Sequence, residues 1–166
     1  TRQLIRFARF VNEAPDAEFT AELKRYVDVD ATLRFIAINA WLANMDSFLG
    51  NGHNYYLFIA HKDGRAHFIP WDLNEAFGGH PMAGSSAEQT GISVLHPPNP
   101  GNRLAQRLLE TEPFRTRYRE ILGALHTNAI NPEAMIATAK QIESATREAL
   151  TEDPLRRRSQ EPGDRP

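Results

Sequence analysis

Apolar residues recur at helical spacing along most of the chain, and the pattern breaks only in its middle third. Leu4, Phe7, Ala8 and Val11 share one face of a first helix over residues 3–12. Pro15 interrupts it. Asp16 then stands where the N-cap of a second, short helix is expected, with Phe19, Leu23 and Tyr26 on one face. Asp28 or Asp30 caps a third helix, which runs to about Met45. That helix carries two apolar stripes: Leu33, Ile36, Ala37, Ala40 and Trp41 on one, Phe35, Ile38, Leu42 and Met45 on the other. A helix apolar nearly all round belongs at the centre of a domain.

After this helix the period changes. Residues 46–53 are polar and punctuated by Gly50 and Gly52, which marks a loop. Residues 55–60 are aromatic and branched, as in a strand, with Tyr55 and Tyr56 on opposite faces. Asp63-Gly64 signals a hairpin turn. Residues 66–69 return as the second strand, and Pro70 ends its ladder. Trp41 and Trp71 are expected in the core. Residues 78–101 form a long loop rich in Gly, Pro and Ser, and a loop of that length in a compact domain is usually functional or mobile.

Helical spacing resumes at Asn102 with Leu104, Leu108 and Leu109. Pro113 sits where a first helical turn tolerates it, followed by Phe114, Tyr118, Ile121, Leu122 and Leu125. Asn131-Pro132 opens a last helix to about Leu150, lined by Met135, Ala139, Ile142 and Ala149. Residues 151–166 read as a disordered tail containing the triplet Arg156-Arg157-Arg158. The fold class is therefore α+β and mostly helical, with one β-hairpin.

Composition narrows the function. The chain has 166 residues, enough for one globular domain with a core, and a formal net charge of −2. That balance gives no field to attract nucleic acid, and no apolar run is long enough to span a membrane. The absence of Cys removes disulfide and thiolate chemistry and leaves the compartment open. The six His residues show no zinc-ligand spacing, so no zinc site is expected. The chain opens on Thr1, in sequence that reads as mid-helix, so an excised piece of a longer protein is expected.

The chemistry-bearing residues cluster around the hairpin. Phosphoryl transfer from a nucleotide uses one carboxylate to accept or orient the substrate hydroxyl. A second carboxylate and an amide oxygen hold magnesium, which prefers hard oxygen ligands. Protein kinases place the first Asp and the Asn five residues apart, and the second Asp past a following hairpin. Here Asp46 is followed by Asn51, then the hairpin, then Asp72. The pair alone is a weak signal; its position after a buried helix and before an Asp-Gly hairpin strengthens it. The competing structural readings are an Asp46 that terminates the helix, an Asn51 that serves a turn between glycines, and an Asp72 that starts a loop. His53 is a candidate phosphate or substrate contact, or an ordinary loop residue.

Several runs resemble the spore-coat protein H (CotH) kinase family. They are Tyr26-Val27-Asp28-Val29-Asp30, Ala43-Asn44-Met45-Asp46-Ser47, the stretch from Gly50-Asn51-Gly52-His53-Asn54 into Tyr55-Tyr56-Leu57-Phe58, and Phe68-Ile69-Pro70-Trp71-Asp72-Leu73-Asn74-Glu75-Ala76-Phe77-Gly78. The later Asn102-Arg103-Leu104, Arg107-Leu108-Leu109, Phe114-Arg115 and Arg117-Tyr118 resemble it as well. The resemblance implies a kinase C-lobe over residues 1–150, using ATP and Mg to phosphorylate Ser or Thr of a protein substrate. Asp46 then corresponds to the catalytic residue and Asp72 to the magnesium ligand. Asn51 is the second metal and nucleotide-site ligand, with Asn54 as its competitor. The family's distribution implies a spore coat or a secreted or cell-surface location.

Two departures stand out. Asn74 occupies a position where the family often has Asp. No Gly-rich loop followed by a strand Lys is present: Lys24 and Lys140 lie in amphipathic helices and Lys62 at the hairpin turn. The nucleotide-gripping lobe is expected upstream, and the chain by itself is expected to be inactive. The rival expectations are a pseudokinase or structural coat module, and a kinase for a small molecule.

Overall fold

In the computed structural model, residues 2–153 are described. They form α1 (Arg2–Glu13), α2 (Asp16–Glu22), α3 (Val29–Trp41), β1 (Tyr55–Ile59), β2 (Ala66–Pro70), α4 (Ser86–Thr90), α5 (Arg103–Glu110), α6 (Phe114–Asn128) and α7 (Pro132–Glu152). The architecture is α+β and mostly helical, with one antiparallel two-stranded sheet. The chain divides into two compact units, residues 1–124 and 125–166. The expected tail at 151–166 falls mostly outside the described residues; its first two residues finish α7.

The core of the first unit grows from the aromatic faces of α1 and α2. Phe10 stacks on Tyr26 at 4.2 Å and on Phe19 at 5.7 Å, and Phe19 meets Phe114 edge-on at 5.8 Å. Phe19, Leu23, Val27, Leu33, Ile36 and Leu108 are fully buried. Burying each such side chain contributes about 1.5–3 kcal/mol. Arg107, 3% exposed, ties this layer together. Its guanidinium donates to the Val11 and Ala14 carbonyls at 3.0 and 2.7 Å and to Asp16 Oδ1 at 2.7 Å, and lies over the Phe19 ring. Asp16 is thus the first residue of α2 and an ion-pair partner, not its N-cap; Pro15 holds the cap position without a side-chain bond.

Of the two candidate caps for α3, Asp28 is the one used, accepting from Ala31 N–H at 2.9 Å. The helix ends at Trp41, four residues before the expected Met45, because Ala43 turns into the left-handed region at φ 47°. Its first stripe is buried through Leu33, Ile36, Ala37 and Ala40, while Ile38 on the second is 37% exposed. The loop after it folds inward, with Phe48 and Leu49 buried.

A lone hairpin is marginal in water and needs a packing surface. Here Tyr55 and Phe68 pack with Phe35 of α3 and Phe48 of the loop, at centroid distances of 5.0–6.4 Å. The register pairs Leu57 with Phe68 and Tyr56 with Ile69. Gly64 takes φ 72° in the turn, as the Asp-Gly signal predicts. Tyr56 and Phe58 face outward, over half exposed, so the two tyrosines do divide between faces. Trp71 departs from expectation: it is 57% exposed and meets Tyr56 at 5.4 Å, because β2 ends at Pro70 and carries it past the packed face.

The 78–101 segment is more ordered than its composition suggests. It holds a 3-10 turn at Pro81–Ala83 and α4, which opens with a Ser85–Glu88 capping box. Tyr118 of α6 donates to the Val94 carbonyl at 2.7 Å, and its burial pushes the phenol pKa upward. Asn102 caps α5 and also donates to the Phe48 carbonyl at 2.8 Å, joining α5 to the loop before the hairpin. Pro113 precedes α6, which starts at Phe114. Asn131 caps α7 as its Asn-Pro start implies. No residue of α7 is buried.

Candidate active site around Asp46

Asp46 sits in the turn between α3 and β1, its side chain 20% exposed. Three features of the chain hold that turn. Ser47 Oγ donates to the Asn44 carbonyl, and Asn44 Nδ2 donates to Asn39 Oδ1 on α3 at 3.2 Å. Gly50 passes so close to Met45 that a Cβ there would stand 1.8 Å from the Met45 carbonyl oxygen. Only glycine fits that approach. Gly52 N–H then closes the turn on the Ser47 carbonyl at 2.9 Å.

The two asparagines after the turn converge on the Asp46 carboxylate from opposite sides. Asn51 Nδ2 donates to Oδ1 at 2.5 Å, and Asn54 Nδ2 donates to Oδ2 at 2.7 Å. Asn54 Nδ2 also donates to the Asp46 main-chain carbonyl at 2.8 Å. Asn54 adopts φ 54°, a left-handed conformation that Asn tolerates better than most residues. Both asparagine amides are therefore committed to Asp46 through their nitrogens. Asn51 Oδ1 accepts from His53 N–H at 3.2 Å, and a carbonyl oxygen keeps a second lone pair. Asn54 Oδ1 makes no hydrogen bond among the described residues.

Asp72 follows directly. Trp71 N–H donates to the Asn54 carbonyl at 3.0 Å, so the end of β2 is fastened beside the Asp46 clamp. Asp72 itself is exposed at φ 49°, and its carboxylate has no hydrogen bond or ion pair among the described residues. The structure brings Asp46, Asn51 and Asn54 into direct contact. It leaves Asp72 adjacent through the backbone. All four described non-glycine residues with positive φ, Ala43, Asn54, Asp72 and Phe77, lie in this 35-residue stretch. Such conformations cost of order 1–3 kcal/mol each and concentrate at functional sites.

Two further residues reach Asp46 that the motif spacing does not point to. The loop after Asp72 is drawn back onto the end of α3: Phe77 N–H donates to the Leu42 carbonyl at 2.6 Å and Gly78 N–H to the Ala43 carbonyl at 3.3 Å. This carries Glu75 and His80 to Asp46, and one ligand atom from each of the three lies within 4.8 Å of the others. His80 Nδ1 pairs with Glu75 Oε2 at 2.5 Å. The His80 carbonyl accepts from Gln89 Nε2, at 2.8 Å, and Gln89 is buried. A local signal exists only in retrospect, since Glu75 and His80 fall within eight residues of Asp72.

Beside this geometry stand the likenesses to known proteins. The family model for CotH kinase protein matches residues 1–164, and the chain belongs to that family. It is 32% identical over 116 residues to the inner spore coat protein H of Bacillus subtilis (strain 168). The matched segment covers 68% of this chain and 29% of that relative. No described helix is long and apolar enough to cross a membrane.

Proposed function

We propose that the chain is the C-lobe of an atypical protein kinase, which in its full-length parent transfers the γ-phosphate of ATP to Ser or Thr of a coat or surface protein. The observation that carries this is the Asp46 carboxylate, gripped on both oxygens by amide donors beside a strained loop. That grip keeps the carboxylate aimed, as an acceptor of a substrate hydroxyl proton must be. Asn51 and Asn54 orient Asp46.

By chemical type, two oxygen donors suit a hard divalent ion: the Asp72 carboxylate, unpaired among the described residues, and the remaining lone pair of Asn51 Oδ1, with Asn54 Oδ1 as its competitor. Magnesium, when bound with nucleotide, neutralises charge on the phosphate oxygens. The chain's own residues supply the rest: Asp46 receives the hydroxyl proton, the asparagines hold its geometry, and Gly50 fixes the turn on which all three stand. The family supports the ATP and magnesium requirement, and the relative's name supports a place in the spore coat for the parent protein. Residues 1–150 are the proposed extent of the lobe.

The test is transfer of labelled phosphate from ATP to coat proteins by the full-length parent. Transfer that needs magnesium and disappears in both Asp46→Asn and Asp72→Asn is expected. Undiminished transfer in either variant overturns the assignment. The second reading is a coat assembly module without catalysis, favoured by the relative's name as a coat protein. It predicts normal coat assembly and no phosphate transfer by the parent protein.

A further inference from the structure

Asp46 and Glu75 are two carboxylates in one half-buried cluster, 20% and 31% exposed. Among the described residues, neither forms an ion pair with Lys or Arg. The remaining member is an imidazole, His80, 15% exposed. Two carboxylates whose basic neighbours among the described residues are imidazoles alone, His80 on Glu75 and His53 at 4.0 Å from Asp46, form with His80 a donor set that a divalent ion would neutralise. An imidazole in that set favours a transition ion over magnesium, which takes hard oxygens.

We propose that Asp46, Glu75 and His80 bind a first-row transition ion, with Zn²⁺ held more tightly than Mn²⁺ and Mn²⁺ more tightly than Mg²⁺. The set is distinct from the Asp72 and Asn51 oxygens assigned to the nucleotide's metal. Pre-organisation supports it. Asp46 is clamped by Asn51 and Asn54, and the backbone of His80 is held by the buried Gln89. Glu75 Oε2 and His80 Nδ1 already face one another in a hydrogen bond, and the ion takes the place of the proton between them. Two ligands on a tetrahedral zinc ion stand about 3.4 Å apart, given bonds of about 2.1 Å. Ligand atoms that lie within 4.8 Å of one another therefore draw together by up to roughly 1.4 Å on binding, and Glu75, the most exposed of the three, has the most room to shift.

One consequence rests on the phosphotransfer reading: a zinc ion on Asp46 occupies the proton-accepting carboxylate, so zinc inhibits the parent enzyme. The binding itself does not rest on that reading. The test is calorimetric titration of the protein with Zn²⁺, Mn²⁺ and Mg²⁺ salts, without nucleotide, with the melting temperature followed in parallel. One Zn²⁺ per chain is expected, bound at least about tenfold more tightly than Mg²⁺. His80→Ala and Glu75→Gln each weaken it about tenfold or more, while the exposed His96→Ala leaves it unchanged. Circular dichroism identifies a variant that has lost its fold, and Glu75→Gln, which keeps the side-chain shape, then decides. Zinc affinity untouched by Glu75→Gln, or magnesium bound as tightly as zinc, overturns the proposal. Either outcome leaves the labelled-ATP test of the proposed function unaffected, because no nucleotide is present in the titration.

Discussion

Asn54 grips Asp46 twice with one amide group, at 2.7 Å on the carboxylate and 2.8 Å on the main-chain carbonyl. A side chain that bonds both a carboxylate and the backbone carrying it fixes position and rotation together. Asn54→Gly keeps the left-handed backbone permissible and removes only the amide. In the full-length parent this variant is expected to lose about tenfold to a hundredfold in kcat, with a smaller change in KM for ATP. An unchanged kcat would show that the grip does not position the catalytic group. Asn54→Ala adds backbone strain at φ 54° and is expected to cost stability as well.

Gly50 tests the turn beneath the site. A methyl group there has no room against the Met45 carbonyl, at 1.8 Å, and the blocking atom belongs to the backbone. Gly50→Ala is expected to destabilise the protein by about 3 kcal/mol or more, read by urea unfolding. Gly52→Ala is the comparison: it meets nothing within 4 Å and carries only the strain of φ 76°. It is expected to cost about 1 kcal/mol. Equal costs at the two positions would contradict the steric account.

Arg107 joins α5 to the junction of α1 and α2 through two carbonyls and Asp16. Removing the guanidinium leaves those carbonyls unsatisfied in a buried setting. Arg107→Met is expected to cost about 3 kcal/mol, and Arg107→Lys nearly as much, since one ammonium cannot reproduce the planar fork. Chemical denaturation compares the two. A lysine variant as stable as the parent would show that charge alone matters.

The Asp30–Arg117 pair gives a pH signature. Hydrogen bonds from the Arg117 guanidinium, at 2.9 and 2.6 Å, hold the Asp30 carboxyl below the usual carboxylate range. A carboxyl whose folded pKa is depressed stabilises the fold above its unfolded pKa, and that stability is lost as pH falls through the folded value. Asp30→Asn is therefore expected to be less stable than the parent at pH 7 and equal to it at strongly acidic pH. The pair is more than a third exposed, so the difference at pH 7 is expected to be small and to shrink with added salt. A difference that persists unchanged into acid would contradict the ionic origin.

Much of the fold was legible because its signals are local. Helix starts at Asp28, Asn102 and Asn131 follow from one side chain bonding a nearby amide, and the hairpin follows from Asp63-Gly64 between branched runs. The early end of α3 was not, because Ala43 leaves the helix to accept Gly78 N–H from a loop 35 residues on. Trp71 misled for a related reason: its composition suits a core, and only the register of β2 places it outside. At the site, Asp46, Asn51 and Asp72 were visible as an ordered spacing. The role of Asn54 as a clamp, and the arrival of Glu75 and His80, depend on tertiary hydrogen bonds from Trp71 and Phe77 that no spacing encodes. Asn51 was expected as a metal ligand through its amide oxygen; its nitrogen bonds Asp46, and the oxygen accepts one bond, from His53 N–H.

The most direct measurement is a single-turnover comparison of the full-length parent with its Asp46→Asn variant, at saturating ATP and magnesium, with nucleotide affinity determined separately. The account predicts that the variant binds nucleotide normally and transfers phosphate at least about a hundredfold more slowly. Equal rates in the two proteins would contradict it.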